Sequence, residues 1–295
     1  MLKDPVTLSI IVPAYNEALS LENLIPDWLM FCRENNFELI IVNDGSKDDT
    51  ELTLDRYKGE SCFQRIRNKV NKGYGGAIKE GIKAANTTYI ATMDADGQHN
   101  IEDVKKLFQY LIDTDADMTI GQRTERSGVY RETGKMLIKK IASFLMPVTI
   151  KDLNSGLKLY RSDLARKYSK LCPDSMAFSD VIALTFLSQR HLVLEMPVRI
   201  KPRRDGTSTI STFTAFETVK QILNIVILFN PMRIFLPLSI FSITISLLWA
   251  IPIIVRGNGV SVGAMLGIVT GIFFFFAGLL AEQLSLLRKA SLEND

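Results

Sequence analysis

The sequence predicts an α/β protein: a mostly parallel sheet covered by helices, then a C-terminal interfacial helix and two transmembrane helices. Three observations carry this. Up to about residue 200, short β-branched runs alternate with helical stretches, the pattern of strand–helix–strand units. Residues 234–255 and 260–281 are apolar runs without a charge, each about long enough to cross a hydrocarbon core of ~30 Å as a helix. Residues 211–230 have one polar edge and a broad apolar side and end at Asn230-Pro231, which suits a helix lying at a membrane surface.

These signals divide the chain into a sheet domain (1–209), a juxtamembrane helix (210–232) and a hairpin with its tail (233–295). In the first part the strand candidates are 8–12, 39–42, 89–93 and 118–120, and helices should fill 21–34, 48–57, 75–85 and 101–112. Residues 1–5 are short and polar, so no signal peptide is expected before the first strand. In the hairpin, the turn 256–259 carries one cation, Arg256. The upstream flank carries Lys201, Arg203, Arg204, Lys220 and Arg233, and the downstream flank Arg288 and Lys289. That asymmetry places the large domain and the tail in the cytoplasm, with the hairpin in the cell membrane. Pro252, inside the first apolar run, is expected to kink or shorten its last turn.

Composition excludes other classes. With 47% hydrophobic and 23% charged residues, the chain is neither disordered nor a disulfide-held miniprotein. Its three cysteines (Cys32, Cys62, Cys172) form no CxxC pair, which argues against structural zinc and fits a reducing compartment. A net charge of +3 is too small to indicate a nucleic-acid partner.

Ligands of parallel sheets bind at the carboxyl ends of strands, which directs attention to the loops after residues 12, 42, 70 and 93. Pro13 is expected to end the first strand, leaving Tyr15, Asn16 and Glu17 at the rim. Asn43-Asp44-Gly45-Ser46 is a turn signal in which Ser46 or Asp48 caps the next helix and Asp44 can accept hydrogen bonds from a ribose. Residues 71–77 (NKGYGGA) open a helix and suggest close backbone approach to a phosphate, without the spacing of a P-loop. The sharpest signal is 93–99 (MDADGQH), where an apolar strand delivers Asp94 and Asp96 into a loop. Two carboxylates so placed can converge on a hard cation, Mg²⁺ or Mn²⁺. Basic residues follow at Arg123, Arg126, Arg131 and Lys135. Two loops, 151–156 (KDLNSG) and 203–208 (RRDGTS), combine cations with turn residues; cations in the second can meet a lipid phosphate or an anionic membrane surface.

The ordered set PAYNE, NDGS, NxGxGGA, DADGQH, GxR (Gly121 to Arg123), DLNSG and RRDGTS resembles that of family 2 glycosyltransferases with a GT-A fold, a Rossmann-like sheet. Within that family the chain resembles the polyprenyl-phosphate glycosyltransferases of the dolichyl-phosphate mannose or glucose synthase type, and its hairpin resembles the two-span bacterial members. The resemblance implies that Pro13, Tyr15, Glu17, Asp44, Lys72, Gly73, Asp94 and Ala95 hold a nucleotide sugar. It further implies that Asp94, Asp96 and Gln98 hold Mg²⁺ or Mn²⁺, and that Arg131, Lys151, Ser155 and Arg203 grip an acceptor phosphate. Asp96 and Asp152 are the catalytic positions it implies, Asp152 orienting the donor sugar or Lys151, with Asp180 a second carboxylate candidate. Thr209 stands where the family motif usually has lysine, and Lys151 where some relatives have arginine.

The activity implied is inverting transfer of a hexose from a UDP- or GDP-linked sugar to a membrane-held polyprenyl phosphate, by an enzyme whose small anchor suits a homo-oligomer. Polysaccharide extension is the rival, but neither Trp28 nor Trp249 lies in a QxxRW motif. A non-catalytic nucleotide-sugar-binding protein is disfavoured by the presence of both aspartates.

Overall fold

A computed structural model describes residues 8–124, 150–200, 223, 226–227, 229–257 and 259–293. The chain divides into two compact units, residues 1–131 with 148–210, and residues 132–147 with 211–295. Most of the expected interfacial helix lies outside the described residues, as do Arg126, Arg131, Lys135, Arg203, Arg204 and Thr209.

In the first unit, β1 (Leu8–Ala14), β2 (Glu38–Asn43), β3 (Phe63–Arg67), β4 (Tyr89–Thr92), β5 (Met118–Arg123), β6 (Lys158–Arg161) and β7 (Val193–Val198) form one sheet in the order β3-β2-β1-β4-β6-β5-β7. β6 runs antiparallel to both β4 and β5, and every other pair is parallel. All carboxyl ends but that of β6 therefore share one edge, and β6 begins at that edge. The helices are α1 (Ala18–Asn35), α2 (Thr50–Asp55), α3 (Tyr74–Ala84), α4 (Ile101–Asp113), α5 (Ser162–Ser169) and α6 (Phe178–Ser188). Leu8, Ile10 and Val12 of β1 and Leu39 and Ile41 of β2 are buried with Leu21, Ile25 and Trp28 of α1 in the main core.

The first strand does not stop at Pro13, which pairs with Val42 inside β1. The Met93 amide donates to Ile11 O. In a parallel ladder Pro13, two residues on, faces the same side as Ile11, where β4 has already ended at Thr92. Its missing N–H therefore removes no ladder bond. β5 runs on past 120 to Arg123 and sets that arginine at the carboxyl edge. The loop expected after residue 70 starts earlier, since β3 ends at Arg67.

In the second unit, α7 (Met232–Val255) and α8 (Val262–Glu293) are helices of 24 and 32 residues. Both are long and apolar enough to cross a membrane by length and composition. α7 continues through Pro252 to Val255 rather than ending there. The two helices meet at small residues: a Cβ on Gly267 would strike Ser246, and one on Gly271 would strike Ile243. Ser242 Oγ donates to Gly267 O at 2.8 Å. Close approach at small residues is the packing expected within lipid.

Candidate active site

The carboxyl edge gathers two groups of polar side chains. The first is built on β1, β2, α3 and β4. The loops after β1 and β2 are tied together: Asn16 N donates to Ser46 Oγ at 2.9 Å, Lys47 N to Asn16 Oδ1 at 2.8 Å, and Glu17 N to Thr50 Oγ1 at 3.0 Å. Asp48, not Ser46, serves the start of α2, accepting from Thr50 N at 3.1 Å. Tyr15 is exposed and Glu17 half-buried, accepting from Ser20 Oγ at 2.8 Å. Pro13 and Ala95 are buried, so a ligand can meet at most their backbone.

Asp44 is buried at the end of β2. Its Oδ1 accepts from Asn68 Nδ2 at 2.7 Å and Lys72 N at 2.9 Å, and its Oδ2 from Gly73 N at 2.8 Å. The carboxylate thus organises the glycine-rich loop, whatever else it binds. Gly45 has a φ of +70°, and a Cβ there would meet the backbone of Val70 and Asn71 at 2.8 Å, so the turn requires glycine.

The glycines of 73–76 correct the sequence expectation. They admit the protein's own chain rather than a phosphate: Gly76 N donates to Asp174 O at 3.1 Å, and a Cβ on Gly75 would strike Pro173 O. The physical reason is that the segment before α6 lies over the start of α3 and occupies the space that glycine opens. Lys72 Nζ pairs with Glu80 at 3.0 Å.

Asp94 and Asp96 follow β4. Tyr74 Oη donates to Asp94 Oδ1 at 2.9 Å, and Gln98 N donates to Asp96 Oδ1 at 3.1 Å across the turn that Gly97 makes at φ +71°. Among the described residues no group of three His, Cys, Asp or Glu side chains could hold a metal. The expected donors are two carboxylates and the Gln98 side-chain amide, whose oxygens are all hard. That set fits Mg²⁺ or Mn²⁺ completed by water and substrate phosphate, and not zinc. His99 is buried beside it, and its Nδ1 has no hydrogen-bond partner among the described residues.

The second group is built on β5, β6, β7 and α6. Asp152 is gripped by Arg123, whose Nε and Nη2 each donate at 2.8 Å and whose backbone N donates at 3.0 Å. Burial opposes ionisation of Asp152, but the bonds from Arg123 outweigh it and hold the carboxyl below its ordinary range. Asp152 therefore orients Arg123; an arrangement in which it orients Lys151 is not what forms. Lys151 is exposed, and its backbone N, like that of Asp152, donates to the Glu195 carboxylate at 2.9 and 2.7 Å.

Ser155 is also placed differently from expectation. It has no exposed surface, and its Oγ donates to Gly121 O at 2.7 Å and accepts from Leu157 N at 3.3 Å. The reason is local: the chain must turn into antiparallel β6, and Ser155 fastens that turn to β5. Lys158, the first residue of β6, is fully buried and donates to Ser155 O and Ser179 Oγ. Burial pushes its ammonium down to about 8, with Asp180, Asp152 and Asp94 pulling the other way. Burial in turn pushes Asp180, in the first turn of α6, above the usual carboxylate range, with Lys158 opposing.

Tyr74, Lys158 and Glu195 have no role in the sequence reading, and Arg123 appears there as a basic residue and the end of a motif, without a site role. Tyr74 was hidden inside a glycine run, and Lys158 follows the DLNSG motif on a strand of four residues, too short for a period.

Polar loops and a two-carboxylate turn thus stand at the carboxyl edge, where α/β sheets of this kind bind their ligands. Comparison with known proteins is more specific. The family described as Glycosyl transferase family 2 matches residues 9–169, more than half the chain, and the chain belongs to that family. A second family, the GtrB C-terminal hairpin, matches residues 230–287.

Among curated relatives, a dolichyl-phosphate beta-glucosyltransferase of Dictyostelium discoideum is 28% identical over 66% of this chain, and the match spans 65% of that relative's length. A polyprenol monophosphomannose synthase of Mycolicibacterium smegmatis is 27% identical over 71% of this chain and 85% of its own. Among solved structures, glucosyl-3-phosphoglycerate synthase from Mycobacterium tuberculosis, in complex with Mn²⁺, UDP-glucose and phosphoglyceric acid, has a TM-score of 0.59 at 15% identity. The match covers 75% of this chain and 80% of that one, and shows the fold.

Proposed function

We propose that this glycosyltransferase moves a hexose from a UDP- or GDP-linked sugar to a polyprenyl phosphate, with inversion at the anomeric carbon. The observation that carries the reading is the joining, in one chain, of a family 2 domain to a GtrB-type hairpin. A hairpin of this kind keeps the enzyme at the bilayer where a polyprenyl chain resides, and relatives with that class of acceptor in their names match along the catalytic domain. The charge distribution around the hairpin supports a cell-membrane protein with its sheet domain in the cytoplasm.

Asp44 and the loops after β1 and β2 bind the nucleoside, with Tyr15 and Glu17 at the rim. Asp94, Asp96 and Gln98 would hold a divalent ion, which when bound offsets the charge that develops on the leaving diphosphate. The acceptor is a phosphate monoester, already anionic near neutral pH, so the chain need not supply a strong base. What it must supply is orientation. Arg123, fixed in a two-point fork by Asp152, presents its cation at the carboxyl edge, and Lys151, Arg131 and Arg203 add cations for the acceptor phosphate.

The test uses detergent-purified protein, a short polyprenyl phosphate, a panel of labelled nucleotide sugars, and Mn²⁺ or Mg²⁺. Label from one donor should enter the organic phase. EDTA and Asp96→Ala should each reduce transfer at least about 100-fold. Label that stays in the aqueous phase with every donor contradicts the reading.

A further inference from the structure

Asp94 leaves β4 at the point where its ladder ends, with the Met93 amide still bonded to Ile11 O. The terminal torsion of an aspartate is broad, so a strand-end carboxylate does not select its own plane. Two contacts select it here. The first is the Tyr74 hydroxyl, from the first residue of α3, which donates to Oδ1 at 2.9 Å. The second is Gly156, so close that any Cβ there would overlap the Asp94 carboxylate, nearest its Oδ2.

Both contacting parts are themselves anchored. Gly156 O accepts from Thr92 Oγ1 at 3.3 Å, and the preceding carbonyl, Ser155 O, accepts from Lys158 and from Ser179 Oγ. The start of α3 is bonded to Asp174 O through Gly76 N.

We propose that Tyr74 is a positioning residue for the metal site: its hydroxyl and the bare backbone of Gly156 form a clamp that sets the orientation of the Asp94 carboxylate toward a divalent cation. The proposal rests on the reading of Asp94 as a metal-site residue. Hydrogen bonds to a ligating carboxylate tune metal affinity by about 10- to 100-fold.

The test uses the full chain in detergent micelles. Mn²⁺ is titrated with UDP or GDP present, and free Mn²⁺ is read by electron paramagnetic resonance. Binding of the same nucleotide in EDTA and the thermal unfolding curve are measured alongside. Tyr74→Phe should raise the Mn²⁺ Kd about tenfold while leaving metal-free nucleotide binding and unfolding at wild-type values. Gly156→Ala, which presses on the same carboxylate through the second contact, should weaken Mn²⁺ at least as much, and it decides the matter if the tyrosine variant is unstable.

Wild-type Mn²⁺ affinity in both variants overturns the clamp. Equal losses with and without metal overturn it too, since they would mean a packing role only. Failure of the wild-type protein to bind Mn²⁺ at all overturns the reading of Asp94 itself, and the clamp with it.

Discussion

Lys158 has no solvent contact and lies within electrostatic reach of three carboxylates, Asp94, Asp152 and Asp180. Its depressed pKa makes a signed prediction. In the unfolded chain the ammonium titrates near about 10.4, and in the fold at about 8. Below the lower value both states are charged and the burial penalty is fully present. Between the two the unfolded chain holds more protons, so stability rises with pH. Thermal unfolding in detergent should therefore show wild type gaining on Lys158→Met from about pH 8 to about pH 10.4, with a flat difference from pH 6 to 7.5. A difference that is flat across the whole range would mean that burial does not depress the Lys158 pKa, and a rise already present from about pH 6 would mean that Lys158 is uncharged in the fold at neutral pH.

Ser155 and Pro13 teach a related lesson at the same scale. Both stand in motifs expected to bind a ligand, and both are buried. A motif marks a stretch of chain and does not say which of its side chains faces the ligand and which fastens the loop.

At the scale of elements, the start of α3 is the most constrained junction. A Cβ on Gly75 would strike Pro173 O and lie 2.8 Å from Phe178 Cβ. Gly75→Ala should destabilise the sheet unit by about 1–3 kcal/mol, the usual range for overpacking, measured by thermal unfolding; a neutral effect would contradict the packing of the 172–177 segment on α3.

The long parallel strands and their helices were legible because β1 and β2 are continuous apolar runs and α4 has a clear amphipathic period capped by Asn100. The strand-end aspartates were legible for the same reason, since an apolar run locates its own end. β3 and β7 were not, because edge strands are half-exposed and mix polar residues with apolar ones; Pro197 in β7 adds to that. β6 was not, because KLYR gives four residues and a buried lysine. The Tyr74–Asp94 and Lys151–Glu195 pairings lie beyond any local pattern, since they join residues that only the sheet order brings to one edge.

At the scale of the whole molecule, the chain couples a family 2 transferase unit to a pair of apolar helices. The central claim is that a lipid monophosphate receives a single sugar. The most direct measurement is mass spectrometry of the lipid extracted after reaction with the preferred donor. The account predicts the starting polyprenyl phosphate plus one hexose residue, joined through one phosphate, and its absence when EDTA is present. A lipid bearing several sugars, a diphosphate-linked product, or unmodified polyprenyl phosphate beside a lengthened soluble glycan would contradict it.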